Sequence, residues 1–387
     1  MSSSRTDADI PAEVSDPINA SILAIAEDRV PGFTLEPFAE IARAASLDEQ
    51  TVIERLQAML AAGTIRRIRQ TMMATNLAPG ALIAWKIPAG KIDAAFEYMS
   101  KSDPFSGHVV IRSTDNETPG SEYRLWTTLK VPQGFSMSKH CEYLTGVIGA
   151  ESFRVMPAKR LFALGVGHVR RRGMAPGSKT DEPGAVLDTR IVDLSARDWQ
   201  VLGPLKREFM VSEITSDPWR ARAREAGVSF EEFIAVSRSL NERGVVGRFS
   251  TFLEHVKPSA TGVRVTRYNA LFHWRVPAGR EIEAGREVGR HHILTHAYWR
   301  EGGPEFASVN IMAVAHGTDK STVLAHKDAI DRHLAEVGIP VAYTNVFWGG
   351  RSEIKPSEIS PVEYAKWCLR VGLEPAAMHG VDEREAA

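Results

Sequence analysis

A chain of 387 residues, 43% apolar and 25% charged, has material for two to four soluble domains with real cores. Its formal net charge of −1 carries no overall signature of a nucleic-acid binder. Two cysteines, Cys141 and Cys368, suggest neither a disulfide framework nor a cysteine-based metal site. The polar N-terminus has no signal-peptide core, and no apolar run could span a bilayer, so a cytoplasmic protein without a membrane partner is expected.

Residues 1–15 are Ser/Asp-rich and read as disordered. Residues 16–70 read as a winged helix-turn-helix, with apolar residues at helical spacing over 18–45, broken at Pro31-Gly32 and Pro37. Ser46 is expected to N-cap a third helix with Glu49 as capping-box partner, and residues 64–68 to form a short strand. Residues 71–169 follow a ferredoxin-like βαββαβ order: strand 81–87, helix 92–99, strands 108–112 and 123–131, helix 136–144 and one last strand, 153–166. Residues 170–187, rich in Arg, Gly and Pro, read as a linker. A second winged helix-turn-helix occupies 188–252 and a second ferredoxin-like domain 253–352, with strands or helices at 269–276, 282–288, 294–299, 308–316, 323–337 and 341–347. The tail 353–387 holds one amphipathic stretch, 361–371, and otherwise reads as peripheral.

The second half repeats the first. Trp85-Lys86-Ile87-Pro88-Ala89-Gly90 returns as Trp274-Arg275-Val276-Pro277-Ala278-Gly279, about 189 positions later. His108 with Arg112 returns as His296 with Arg300, and Ile65-Arg66-Arg67 has a looser echo in Val246-Gly247-Arg248. The fold class expected is therefore α+β: a tandem repeat of winged helix-turn-helix plus ferredoxin-like domain, closed as an intramolecular pseudo-dimer about a pseudo-twofold and compatible with further homo-oligomerisation.

On a strand, His296, Tyr298 and Arg300 share a face, as do His108 and Arg112 with Val110 between them. Histidine titrates near neutrality and suits proton transfer, while arginine pairs with carboxylates through a planar fork. Plainer roles remain open: Arg66-Arg67 as wing residues on DNA phosphate, Trp85 and Trp274 as core, His291-His292 as surface or metal, His273 and His316 as pocket residues.

The pairing of folds resembles the Lrp/AsnC regulators. Pro37-Phe38-Ala39-Glu40-Ile41-Ala42, Gly63-Thr64-Ile65-Arg66-Arg67-Ile68 and Met156-Pro157-Ala158, with the His-x3-Arg strands, resemble the siroheme decarboxylases more particularly, over roughly residues 16–350. That family's strand reads Val-Ser-His-x-Tyr-x-Arg and then Tyr-Asn-Leu-Trp. Half two offers Leu294-Thr295-His296-Ala297-Tyr298-Trp299-Arg300, then Val309-Asn310-Ile311-Met312; half one has Val110 at the tyrosine position and Tyr123-Arg124-Leu125-Trp126 after a long loop.

The resemblance implies a substrate, siroheme, that is flat, apolar and ringed by carboxylates, and loss of its acetate carboxyls as carbon dioxide without oxidant, added cofactor or protein-bound metal. On that reading His296, His108 and Tyr298 are the catalytic candidates, and Arg300, Arg112, Arg66, Arg67, Arg248 and Arg124 bind substrate. A DNA-binding regulator and a non-catalytic tetrapyrrole carrier or sensor are the rivals. Acidic residues at both expected recognition-helix starts, Asp48-Glu49 and Glu231-Glu232, argue against specific DNA binding.

Overall fold

The computed structural model describes residues 10–73, 76–164, 173–187, 191–254 and 267–380. Half one runs α1 (Pro17–Ala26), β1 (Val30–Pro31), α2 (Pro37–Ala45), α3 (Glu49–Ala61), β2 (Ile65–Met72), β3 (Gly80–Lys86), α4 (Ile92–Lys101), β4 (Ser106–Ser113), β5 (Tyr123–Lys130), α5 (Met137–Ile148), β6 (Ser152–Pro157) and β7 (Arg160–Leu164). Half two runs α6 (Ala196–Lys206), α7 (Trp219–Ala226), α8 (Phe230–Glu242), β8 (Val246–Leu253), β9 (Tyr268–Arg275), α9 (Glu281–Gly289), β10 (Leu294–Trp299), β11 (Ile311–Gly317), α10 (Lys320–Glu336) and β12 (Tyr343–Ile354). The short helices α11 (Pro361–Arg370) and α12 (Pro375–Met378) follow.

The chain forms two compact units, one of residues 10–73 and 192–254, the other of residues 76–164, 174–187 and 268–380. The first unit contains both helix-turn-helix segments. Their wings pair with each other: β2 and β8 run antiparallel, Arg67 opposite Phe252 and Arg69 opposite Ser250, with β1 on the far edge of β8. An aromatic core of Phe38, Phe209, Trp219 and Phe249 fills this unit. The start of α3 differs from expectation. Asp48, not Ser46, is the N-cap, its carboxylate accepting from the Thr51 amide at 2.8 Å, while Ser46 ends α2 in the left-handed region at φ 56°. Serine and aspartate cap about equally well, and Ser46 is taken by the left-handed turn that ends α2, which leaves the cap to Asp48.

In the second unit nine strands form one sheet, in the order β6-β3-β5-β4-β12-β9-β11-β10-β7. The first four and the next four are the same order in repeat-equivalent strands. The two ends, β6 and β7, are separated only by Ala158 and Lys159, so the sheet must curl until its ends meet. The expected single strand over 153–166 is thus two strands with different partners: β6 pairs with β3 of its own half and β7 with β10 of the other. Residues 165 and 166 lie outside the described residues. In the same way β12 pairs with β9 along its first part and with β4 along its second, Trp348 and Gly349 pairing on both sides.

Alternation along the strands divides the apolar residues. Trp85 packs with α4 and α5 in a core that includes Phe96, Phe105 and Leu144; Trp274 packs with α9 and α10. Both indoles are fully buried, Trp85 Nε1 donating to Thr127 Oγ1 at 2.9 Å and Trp274 Nε1 to Asp331 Oδ1 at 2.6 Å, so both are core residues. A third cluster draws on both halves, with Ala84, Val110, Trp126 and Met156 meeting Leu271, Phe306, Met312 and Phe347.

The seams between halves are built differently. At one, Phe162 of β7 lies against α9, where a Cβ on Gly285 would be 2.0 Å from its ring and one on Gly289 2.7 Å from its carbonyl oxygen. At the other, the Arg351 guanidinium of β12 sits 4.2 Å from the ring centre of Phe96 on α4 and pairs with Asp93 and Glu97. The linker residues 173–187 are held rather than loose. Arg290 Nε donates to the Thr180 carbonyl at 2.9 Å, Arg286 Nε to that of Gly184 at 3.0 Å, and Lys179 Nζ meets His333 Nδ1 at 2.7 Å.

The tail is not peripheral either. Tyr364, Trp367 and Cys368 on α11 are buried in the half-one core, and the Tyr364 hydroxyl meets His140 Nδ1 at 2.8 Å. The 3.6-residue spacing of Tyr364, Trp367 and Cys368 gives α11 one apolar face, and that face completes the core. Trp367→Ala is therefore expected to cost about 3–5 kcal/mol, whereas Val362→Ala, on the exposed side, stays within about 0.5 kcal/mol. Urea unfolding of the two variants checks both.

Candidate active site

The two His-x3-Arg strands are the seam strands: β4 borders β12 and β10 borders β7. On β10 the expected triplet is a physical stack. The His296 and Tyr298 rings lie 5.9 Å apart and 14° from parallel, and the Arg300 guanidinium carbon is 4.4 Å from the Tyr298 ring centre. Thr295 Oγ1 lies 3.0 Å from His296 Nδ1 and helps fix the imidazole. Burial pushes the Tyr298 phenol pKa up, with Arg300 working against it. On β4, Val110 belongs to the central cluster, and the His108 amide donates to Thr128 Oγ1 at 2.8 Å.

Arg300 and Arg112 are buried and do the same thing from opposite halves. Arg300 Nη1 donates to the Met156 carbonyl on β6; Arg112 Nη1 donates to the Phe347 carbonyl on β12 at 3.2 Å. Met156 lies opposite Leu82 and Phe347 opposite Leu271, which are repeat-equivalent positions. Each arginine thus ties its own seam strand to the closing strand of the other half. Arg112 also reaches Asn269 Oδ1 at 3.3 Å. Among the described residues no carboxylate forms an ion pair with either guanidinium. Burial pushes both pKa values down, yet a guanidinium stays charged in a protein, so each is a positive charge lacking an anion.

His273 lies beside Arg112. It is 1% exposed, 4.9 Å from the Phe347 ring and 6.0 Å from Trp126, with an Nε2 that has no hydrogen-bond partner. Burial, with Arg112 second, pushes its pKa to about 3, so it is neutral. Its repeat-equivalent is Ala84.

Arg66, Arg67 and Arg248 belong to the first unit. Arg67 is buried and pairs with Glu208 at 3.0 Å, so part of its charge is already answered within the chain. Burial lowers the Arg248 pKa, opposed by Asp28 and Glu27. Arg69, not anticipated, lies with its guanidinium carbon 5.4 Å from the Phe252 ring centre, and burial beside Arg67 pushes it to about 10. Arg124 is placed differently from expectation. A register shift between Trp85 and Lys86 leaves it unpaired opposite β3, and it is exposed, away from the buried triplet. Asn269 and Lys130 adjoin the arginines without having been expected there, whereas His273 was among the residues considered for a pocket. Aligning the two halves residue by residue is the signal that finds them, since each sits opposite a different residue type in the other copy.

This site occurs in a chain with recognisable relatives. Residues 21–66 match the family model of the siroheme decarboxylase NirDL-like HTH domain, and residues 78–163 that of the AsnC-like ligand binding domain. A siroheme decarboxylase from Hydrogenobacter thermophilus is 24% identical over 319 residues, covering 81% of this chain and 87% of that protein. A siroheme decarboxylase alpha subunit from Desulfovibrio desulfuricans is 30% identical over 138 residues, 35% of this chain and 75% of that protein. The fold is that of the siroheme decarboxylase NirDL, whose crystal structure in co-complex with an iron-uroporphyrin III analogue superposes with a TM-score of 0.62 at 18% identity, covering 92% of this chain and 99% of that one. By sequence relatives, domain models and fold together, the chain belongs to the siroheme decarboxylase family.

Proposed function

We propose that this protein is a carboxy-lyase that removes acetate carboxyl groups from siroheme without oxidant, in haem-type tetrapyrrole biosynthesis in the cytoplasm, with no cofactor or metal of its own. The observation that carries the reading is the pair of buried arginines, Arg112 and Arg300, each lacking a carboxylate and each two residues beyond the stacking position of a histidine strand. Family membership supplies the substrate class. Among the described residues no helix is long and apolar enough to cross a membrane.

The step balances without redox. The bond between the acetate methylene and its carboxylate breaks, carbon dioxide leaves, and the electron pair stays on the methylene carbon, which takes one proton to become a methyl group. Arginine holds neighbouring carboxylates through charge-assisted pairs. Protonated His296 gives the proton, with Tyr298 stacked on it to orient the ring and offer a second hydroxyl donor. His108 performs the equivalent role at the other seam with Val110 where Tyr298 stands, so the two half-sites differ in polarity.

Anaerobic incubation with siroheme followed by mass spectrometry is expected to show loss of one and then two carbon dioxide masses; binding with unchanged mass would favour the carrier. His296→Ala is expected to leave binding intact and slow turnover roughly a hundredfold, while His108→Ala lets a monodecarboxylated product accumulate. Wild-type turnover in the double variant would remove both histidines from the mechanism.

Arg300→Ala is expected to weaken tetrapyrrole binding more than it slows bound substrate, because its charge acts already in the ground state. Titration at matched unfolding midpoints separates this from loss of the Met156 tie. DNA binding is disfavoured by Asp48 and Glu49 at the start of α3 and by Glu231 and Glu232 in the first turn of α8. No promoter-fragment shift is expected at nanomolar protein and physiological salt.

A further inference from the structure

Lys130 lies outside the family motif and outside every role assigned above. It ends β5 opposite Gly80, and its side chain folds over that glycine: a Cβ on Gly80 would sit 2.8 Å from Lys130 Nζ. Gly80 is two residues along β3 from Leu82, which pairs with Met156, the residue whose carbonyl Arg300 binds. Lys130, Arg300, Tyr298 and His296 therefore follow one another along one seam. Lys130 is half-buried, and among the described residues no carboxylate pairs with it. Burial, reinforced by the positive charge of Arg300, pushes its pKa down to about 8. Of the groups facing it, β10 contributes Arg300 with Tyr298 and His296 beyond, while β3 contributes uncharged Gly80.

At the other seam a neutral acceptor, not a second cation, stands beside the arginine. The repeat carries Gly80 to Asn269 and Lys130 to His316, and these two again lie opposite each other on β9 and β11. There Asn269 turns an amide oxygen to the buried guanidinium of Arg112. At the Arg300 seam the acceptor is replaced by a glycine and a second cation takes the space. Two positive charges held side by side without a counter-charge destabilise the empty protein, and an anion placed between them relieves both.

We propose that Lys130 and Arg300 together seat one substrate carboxylate beside the His296–Tyr298 pair, and that Gly80 is there to let the lysine cross to it. The assignment rests on the siroheme reading and deepens it, making the Arg300 seam the more strongly anion-binding of the two half-sites. A doubly held carboxylate fixes the macrocycle's rotation, which decides which acetate faces His296.

The test is binding of iron uroporphyrin III, followed by its absorbance across pH, to the full-length protein and to Lys130→Met, Lys130→Arg and Gly80→Ala. Wild-type affinity is expected to hold steady below about pH 8 and to fall above it as the ammonium loses its proton. Lys130→Met should bind roughly tenfold more weakly at neutral pH, the scale of one hydrogen bond to a charged group, and should lack that alkaline fall. Lys130→Arg should restore neutral affinity and move the fall to higher pH, and Gly80→Ala should resemble Lys130→Met. A Lys130→Met variant with wild-type affinity and pH profile overturns the assignment while leaving the family reading intact. So does a loss of affinity that Lys130→Arg does not rescue, which would mark a structural role. Wild-type protein that binds no iron uroporphyrin III at any pH overturns both.

Discussion

In the second unit the closing strand of each half pairs with strands of both halves within the one sheet. β6 and β7 are one chain direction interrupted at Ala158-Lys159, and β12 makes the same passage without interruption. Backbone hydrogen bonds thereby join the halves at two seams, and an edge left unpaired by either half is covered by the other. Everything of chemical interest follows from where the seams fall. The histidine strands β4 and β10 are the outermost strands of their own repeats, so closure turns them from edges into walls. Arg112 and Arg300 then bond the carbonyls of the strand that closes over them, and a charge that would otherwise be solvated at an edge becomes buried and in need of an anion.

Duplication makes the two walls alike; divergence makes them unequal. Val110 stands where Tyr298 stands, Ala84 where His273, Trp126 where Met312. Exchanging a large residue for a small one at one wall is matched by the reverse at the facing wall, as Trp126 beside Phe347 and His273 illustrates. A symmetric dimer could not differentiate in this way, because any change would appear twice. An asymmetric substrate that loses similar groups at different positions is a fit occupant for such a site.

Much of this was legible in the sequence. The repeated Trp-x-x-Pro-Ala-Gly segments located both first strands, and the two-residue alternation of His296, Tyr298 and Arg300 gave a stack that the fold realises. Local patterns were less informative where the decision is made elsewhere. The break at Ala158-Lys159 is set by a strand partner more than a hundred residues away. Arg124, named only as a substrate-binding arginine, sits at a single-residue register shift that leaves no local mark in the sequence. Helix α11 was legible as an amphipathic stretch but not its destination, because its apolar face matches a core built by other segments. Between Ser46 and Asp48 as helix caps, composition favours neither, and the left-handed turn at Ser46 decides.

The seam packing at α4 and α9 bears on how such a molecule could be divided. Phe96 and Gly285 are repeat-equivalent, yet one meets the Arg351 guanidinium and the other makes room for Phe162. Two copies of half one would drive Phe162 into Phe96, and two copies of half two would leave Arg351 over a bare glycine. Cut into separate polypeptides, the halves would still discriminate between self and partner, by overlap in one wrong pairing and by an unfilled gap in the other. The peptide linker therefore fixes stoichiometry, while recognition of one half by the other is written into the helices.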